Sequence, residues 1–305
     1  MSTARRLRAP VVLPCDAGCS VLRDAVLDID ADGRIGYCGP AADARETSAP
    51  LVEYPGILLP GLVNAHAHSP MALLRGMGGD LPLLRWLREV IWPAEAKLTA
   101  ADCRAGMLLG GGEMLRGGIT TSVEMYFHPE ALAEAVLEAG SRAVLGGPII
   151  ALPGMDWRVL LREIDGMIAA HGMRFGPAER IELSYGAHSA YTLPPEALPE
   201  IAGSAREHGA LLQIHVAESA GEDTEQRAAY GSVPRMLASL GVLGGRVLAA
   251  HGVHLSDADI ELFAAHGVAV AHCPGSNAKL ASGIARVNDM VTAGIAVGLG
   301  TDGPS

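Results

Sequence analysis

Several features that would take the chain out of the ordinary globular class are missing from its sequence. No uninterrupted apolar run approaches the ~20 residues that a bilayer-spanning helix requires. The arginine-rich start is followed only by Val11, Val12 and Leu13 before Pro14, which is too short for the apolar region of a signal peptide. Positive charge is scarce: 23 lysines and arginines stand against 34 acidic residues, a net charge of −11. That balance argues against a nucleic-acid partner or an anionic membrane surface. The five cysteines (Cys15, Cys19, Cys38, Cys103, Cys273) are odd in number and scattered, so no disulfide framework is expected and a reducing, cytoplasmic location is. Cys15 and Cys19 have no second pair near them to complete a metal site. What is present is apolar: 49% hydrophobic and 19% charged residues over 305 positions suit one large domain, or one large and one small.

The stretch with the most chemistry is Leu59 to His68. An apolar run (Ile57, Leu58, Leu59) meets Pro60-Gly61, then climbs through Leu62 and Val63 to His66 and His68. On a strand, residues i and i+2 point to one side, so the two imidazoles can aim at a single point. Neutral imidazole is a preferred ligand of zinc and related metals. A His-x-His pair alone is weak evidence; further ligands must come from elsewhere in the chain.

Within residues 1–56, the stretch from 8 to about 56 reads as short strands and turns, with a hairpin of Ala25–Asp30 and Arg34–Cys38 across Ala31-Asp32-Gly33. So few strands are marginal alone and suggest the N-terminal part of a small β-sandwich completed elsewhere. Residues 57–305 alternate strand and helix. Apolar strands are expected at 62–68, 119–125, 143–150, 181–188, 211–216, 247–251, 268–272 and 295–302. Helices are expected from Thr99 to Leu115, from Pro129 to near Gly140, and over 156–171, 195–208, 222–240, 256–266 and 286–293. Eight such units predict an α/β (β/α)8 TIM-like barrel. His66, His68, His188, His215, His251, His272 and Asp302 all fall at C-terminal strand ends, which a barrel gathers into one mouth. His171, His208 and His266 fall at helix C-termini, where a cation suits the helix dipole, and are read as structural.

Ordered motifs then carry a resemblance: Pro60 to His68, His215-Val216-Ala217-Glu218, His251-Gly252, His272-Cys273-Pro274-Gly275-Ser276-Asn277 and Gly300-Thr301-Asp302-Gly303. Together they resemble the amidohydrolase superfamily, and within it the branch of 5′-methylthioadenosine/S-adenosylhomocysteine deaminases and triazine hydrolases. Leu73-Leu74-Arg75-Gly76, Asp80-Leu81-Pro82-Leu83 and Ile91-Trp92-Pro93-Ala94-Glu95 add to it. The resemblance implies that His66, His68, His215 and Asp302 bind one divalent metal, most often Zn2+, with Fe2+ the alternative. Binuclear members use a carboxylated lysine on the fourth strand. The only lysines here are Lys97 and Lys279, neither on that strand, so one metal is expected.

The implied reaction is attack of metal-bound hydroxide on the ring carbon that carries the leaving amine. Asp302 would accept the water's proton, Glu218 would protonate the ring nitrogen, and His251 would stabilise the attacking oxygen. Glu95 would bind ribose hydroxyls and His188 would face the substrate, with Trp86 and Trp92 as candidate pocket walls and Ser276 and Asn277 as structural support. The nucleoside deaminases also use arginines, one from a neighbouring subunit, and Arg142 is a candidate for one of these. The implied function is deamination of an adenine nucleoside, a hydrolysis of the C–N bond of a cyclic amidine. The alternatives are another heterocycle (a chloro- or amino-triazine, guanine) and an inactive fragment or binding module. The resemblance also departs at the end of the chain. Family members continue past the eighth-strand aspartate through a closing helix and the rest of the β-domain, so the sequence reads as a truncated barrel whose full-length parent is expected to be a homo-oligomer.

Overall fold

The chain divides into two units, Met1–Leu62 and Val63–Ser305. A computed structural model describes residues 3–78 and 81–304, and the side chains of all of these except 223–226; Asp80 of the motif above lies outside the described residues.

The first unit is one mixed sheet of five strands: β1 (Thr3–Val12), β2 (Leu22–Asp30), β3 (Ile35–Pro40), β4 (Leu51–Glu53) and β5 (Ile57–Leu58). β1 is central, antiparallel to β2 and parallel to both β4 and β5. The expected hairpin is β2–β3. Its turn is fixed by the Asp30 carboxylate, which accepts from the amides of Asp32 and Arg34, while Gly33 takes φ +79°. The ten-residue β1 runs through what had read as a merely arginine-rich start. Arg6 lies directly opposite Asp28 across the ladder and binds its carboxylate through two nitrogens at 2.6 and 2.7 Å, so a charged side chain is there a cross-strand partner.

The second unit contains β6 (Leu62–Ala67), β7 (Ile119–Met125), β8 (Arg142–Ile149), the short β9 (Arg174–Phe175), β10 (Ile181–Ser189), β11 (Leu211–Val216), β12 (Arg246–His251), β13 (Ala269–His272) and β14 (Val297–Leu299). The strands run in the order β6-β7-β8-β10-β11-β12-β13-β14, with β9 antiparallel on β10. Apart from β9, neighbouring strands from β7 to β14 pair in parallel. A bridge between Ala67 and Asp302 joins the two ends of the sheet. The result is the predicted eight-stranded barrel, nearly closed.

Local sequence chemistry sets the helices. Ala100–Arg116 starts at a capping box in which Thr99 and Asp102 satisfy one another's amides. Asp257–His266 starts on the same device from Ser256 and Asp259, Trp157–His171 is capped by Asp156, and Pro129–Ala139 ends on left-handed Gly140. The single helix expected over 222–240 is two, Asp223–Tyr230 and Val233–Ser239. Gly231 turns to φ +84°, Ser232 is extended and caps the second helix, and Pro234 has no amide to continue the first. The eighth strand is ordered as a ladder only over Val297–Leu299, shorter than the 295–302 expected. Among the described residues no helix is long and apolar enough to cross a membrane.

Candidate active site

The C-terminal end of β6 delivers His66 from inside the strand and His68 from one residue beyond it. Two contacts across the barrel seam hold that end against the chain after β14. Asn64 donates through Nδ2 to Thr301 Oγ1 (2.7 Å) and accepts through Oδ1 from the Thr301 amide (3.0 Å). The Asp302 amide donates to the His66 carbonyl (3.0 Å). Gly300 passes so close to β6 that a Cβ there would stand 2.9 Å from the His66 carbonyl oxygen and 3.0 Å from the His66 Cβ. The approach needs glycine. Asp302 follows at φ +61°, a conformation that L side chains rarely adopt and that turns its carboxylate into the mouth.

His66, His68, His215 and Asp302 bring one donor atom each to within 4.8 Å of all the others. Asp302 Oδ1 is 3.1 Å from His68 Nε2 and 3.6 Å from His66 Nε2, and the Nε2 atoms of His68 and His215 are 3.3 Å apart. Second contacts fix the rings. Nδ1–H of His68 donates to the Met125 carbonyl (2.6 Å), and that of His215 to the His188 carbonyl (2.7 Å). Each ring thus turns its Nε2 lone pair inward, which is how metal-binding imidazoles are usually held. His66 Nε2 is buried and has no hydrogen-bond partner, a costly state for a polar atom unless something completes it. Three imidazole nitrogens and a carboxylate oxygen around one point fit one divalent metal with room for a further ligand.

The electrostatics of the protein alone agree. Burial lowers His66 to about 4 and drives His215 well down. Burial also lowers His68, but the hydrogen bond and charge of Asp302 outweigh it and hold the imidazolium to about 9. Asp302 itself, though buried, is kept well below the carboxylate range by His66 and His68. The proton held at His68 is the one that an incoming cation would displace.

Glu218 and His251 face the same point. His251 Nε2 is 3.8 Å from Glu218 Oε2 and 3.9 Å from Asp302 Oδ2. Both are almost fully buried. Burial raises the Glu218 carboxyl, against the pull of His251; burial lowers His251, and the Glu218 and Asp302 carboxylates more than restore it. Ser276 donates to Asp302 Oδ2 (2.6 Å), and Asn277 Oδ1 accepts from His251 Nδ1 (3.0 Å). The Ser-Asn dipeptide thus orients one acid and one base.

The surrounding pocket encloses about 980 Å³ out to its open mouth. Glu95 and His188 both line it, as do Trp86 and Trp92. His188 is held by Thr192 Oγ1 (3.0 Å) and Ser189 Oγ (3.2 Å), and burial lowers it to about 3, so it stays neutral. Burial raises Glu95, opposed by the neighbouring Tyr126 hydroxyl. Not every candidate gathers here. Arg142 opens β8 at the opposite end of the barrel, where it is exposed and donates to the Ala178 carbonyl (3.0 Å). His272 ends β13 but does not line the pocket. His171, His208 and His266 close their helices, His171 beside the Glu130 carboxylate and the other two on the carbonyls of Ser204 and Leu262. Cys15 and Cys19 are exposed free thiols.

Two residues escaped the sequence reading. Tyr126 directly follows β7, so the rule that strand ends feed the mouth would have found it. Glu222 is 4% exposed and accepts from the amides of Ala217 (3.2 Å) and Glu218 (2.8 Å); the only signal was a second acid four residues after Glu218.

Comparison with known proteins agrees with this architecture. The amidohydrolase family profile matches residues 57–305. A 5-methylthioadenosine/S-adenosylhomocysteine deaminase of Thermococcus kodakarensis is 44% identical over 253 residues, 81% of this chain and 58% of the relative. One of the same name from Symbiobacterium thermophilum is 42% identical over 298 residues, 96% of this chain and 68% of the relative. The crystal structure of an adenosine deaminase from Xanthomonas campestris with bound zinc superposes with a TM-score of 0.90 at 34% identity, over 99% of this chain and 70% of that one. The chain thus spans roughly three-fifths to two-thirds of the length of these curated relatives. With the family profile covering its whole barrel and relatives above 40% identity on both counts, the chain belongs to the amidohydrolase family.

Proposed function

We propose that the chain is the catalytic part of a metal-dependent deaminase that acts on an adenine nucleoside such as 5′-methylthioadenosine or S-adenosylhomocysteine. One observation carries this reading: the donor atoms of His66, His68, His215 and Asp302 converge on a point that Glu218 and His251 also face. The names of the relatives support the substrate class. The metal, with zinc the expected ion and His66, His68, His215 and Asp302 its ligands, would supply Lewis acidity that brings a water toward ionisation at neutral pH.

The remaining steps belong to the protein. Asp302, kept ionised by its histidines, takes the proton of the attacking water through a carboxylate that Ser276 holds in place. Glu218, its carboxyl raised by burial, is suited to give a proton to the ring nitrogen beside the attacked carbon. His251, held by Asn277, donates a hydrogen bond to the new oxygen and stabilises its developing charge. The proton held by Asp302 then passes to the leaving amine, the C–N bond breaks and ammonia departs, and the hydroxyl proton of the new oxygen returns to Glu218 as the carbonyl forms. Glu95 accepts hydrogen bonds from the ribose hydroxyls, and neutral His188 borders the base. The apolar walls exclude water from the reacting carbon.

The test is Glu218→Gln, which removes the proton but keeps the shape. Turnover should fall by ~10²-fold or more, the loss typical when a general acid–base is removed, while bound metal measured by atomic spectroscopy stays at the wild-type level. Full activity in this variant would contradict the role.

A further inference from the structure

Glu222 is a nearly fully buried carboxylate that the reaction above does not use. It lies at the entrance to the helix Asp223–Tyr230, outside the metal cluster and outside the lining of the pocket. Its two oxygens face two successive amides: Oε1 accepts from Ala217 at 3.2 Å and Oε2 from Glu218 at 2.8 Å. Burial and the neighbouring Glu218 raise its carboxyl to about 8, and the two amide hydrogen bonds oppose that rise. Successive amides converge in this way where the backbone turns between right- and left-handed conformations, as in an anion-binding nest. Ala217 supplies the turn at φ +51°, a value unusual for a residue with a Cβ. The Ala217 carbonyl is engaged as well, by the His254 amide at 3.0 Å.

We propose that Glu222 is a positioning residue for the Glu218 carboxylate. Its side chain fills the nest at Ala217-Glu218 from behind, holds Ala217 left-handed, and so aims Glu218 from the end of β11 into the mouth. Without it, two buried amides lose their acceptor and the chain after Val216 can relax to an extended path, which swings Glu218 away from the reacting atoms. The functional half of this inference rests on the deaminase reading; the structural half does not.

The test uses the metal-loaded chain with Glu222→Ala and Glu222→Asp, the latter keeping a carboxyl group but too short to reach both amides. Hydrogen exchange of the peptide containing residues 216–219 should speed up at least ~tenfold in both variants, as expected for amides that lose a buried acceptor. Metal content should stay at the wild-type level. With 5′-methylthioadenosine, kcat should fall by ~10–100-fold, the scale of an ångström-level misplacement of a catalytic group, with KM moving less than ~twofold and Asp less impaired than Ala. Unchanged exchange would overturn the inference, and so would a loss that appears in KM or in metal content instead of kcat. If Ala fails to fold, Asp alone decides by the same readouts. A wild-type chain that loads metal but releases no ammonia would defeat the deaminase reading instead, and the exchange result would still judge whether Glu222 holds the turn.

Discussion

At the scale of single residues, the site works by contrast between neighbours. Glu218 and Asp302 are both buried carboxylates in one mouth, yet they are driven in opposite directions. Asp302 is paired with imidazoles and stays ionised, while Glu218 has little beyond His251 to offset burial and rises. Two acids with their pKa values pushed apart are what a proton-acceptor and proton-donor pair requires. Glu95 adds a third case. Burial raises it above the ordinary carboxylate range, so on acidification it takes up a proton earlier than a surface glutamate near 4.3 would. If it binds ribose as the carboxylate, KM for a nucleoside should begin to climb at a pH above that ordinary value as the pH falls, and Glu95→Gln should start with a higher KM and lose the acid rise. A pH series of KM for both proteins checks this; an unaltered acid limb in Glu95→Gln would remove Glu95 from substrate binding. The metal-ligand candidates were legible because His-x-His, His215 and the final Thr-Asp-Gly lie at strand ends. Glu222 was not, because it stands at the start of the helix expected over 222–240, where an acid is ordinary, and only the fold buries it.

At the scale of elements, the rigidity of the mouth comes from close packing behind it. The turn Ser69–Leu74, which follows His68, packs against the helix Ala100–Arg116. A Cβ on Gly106 of that helix would stand 2.6 Å from the Pro70 carbonyl oxygen and 2.9 Å from its Cα. Gly112, on the same helix, has nothing within 4 Å of a Cβ. Gly106→Ala should therefore destabilise by ~1–3 kcal/mol, the usual cost of overpacking, while Gly112→Ala should stabilise by ~0.5–1 kcal/mol through backbone entropy alone. Thermal unfolding of the two variants makes the comparison, and a loss of stability in both would mean that helix propensity does not control the second position. From β7 onward the elements were legible because caps and strand alternation agreed with the fold. β1 was missed because Arg5, Arg6 and Arg8 mask its alternation, and the value of Arg6 lies in Asp28 across the ladder. The break at Gly231-Ser232-Val233-Pro234 was written in the sequence and outweighed by the helical pattern on either side.

At the scale of the whole molecule, barrel closure and site assembly are one event. The contacts that join β6 to the end of the chain run through Asn64, Thr301 and Asp302, and Asp302 is also the acid that reaches His66 and His68. A cation bound there would tie the first, fifth and eighth strands together. Chelation should therefore lower the melting temperature and readdition of zinc restore it; a metal at 100 times its dissociation constant contributes about 2.7 kcal/mol. A melting temperature indifferent to chelator would mean that the cluster holds no tightly bound ion. Nothing in composition announced this coupling, since it depends on two motifs 236 residues apart, His66 and Asp302, meeting in space. The most direct test of the account is ammonia release from 5′-methylthioadenosine, measured together with metal stoichiometry. The account predicts one ammonia per nucleoside consumed by a chain carrying one metal ion, abolished by chelation and restored by zinc. A chain that carries the metal and releases no ammonia from any adenine nucleoside would contradict it.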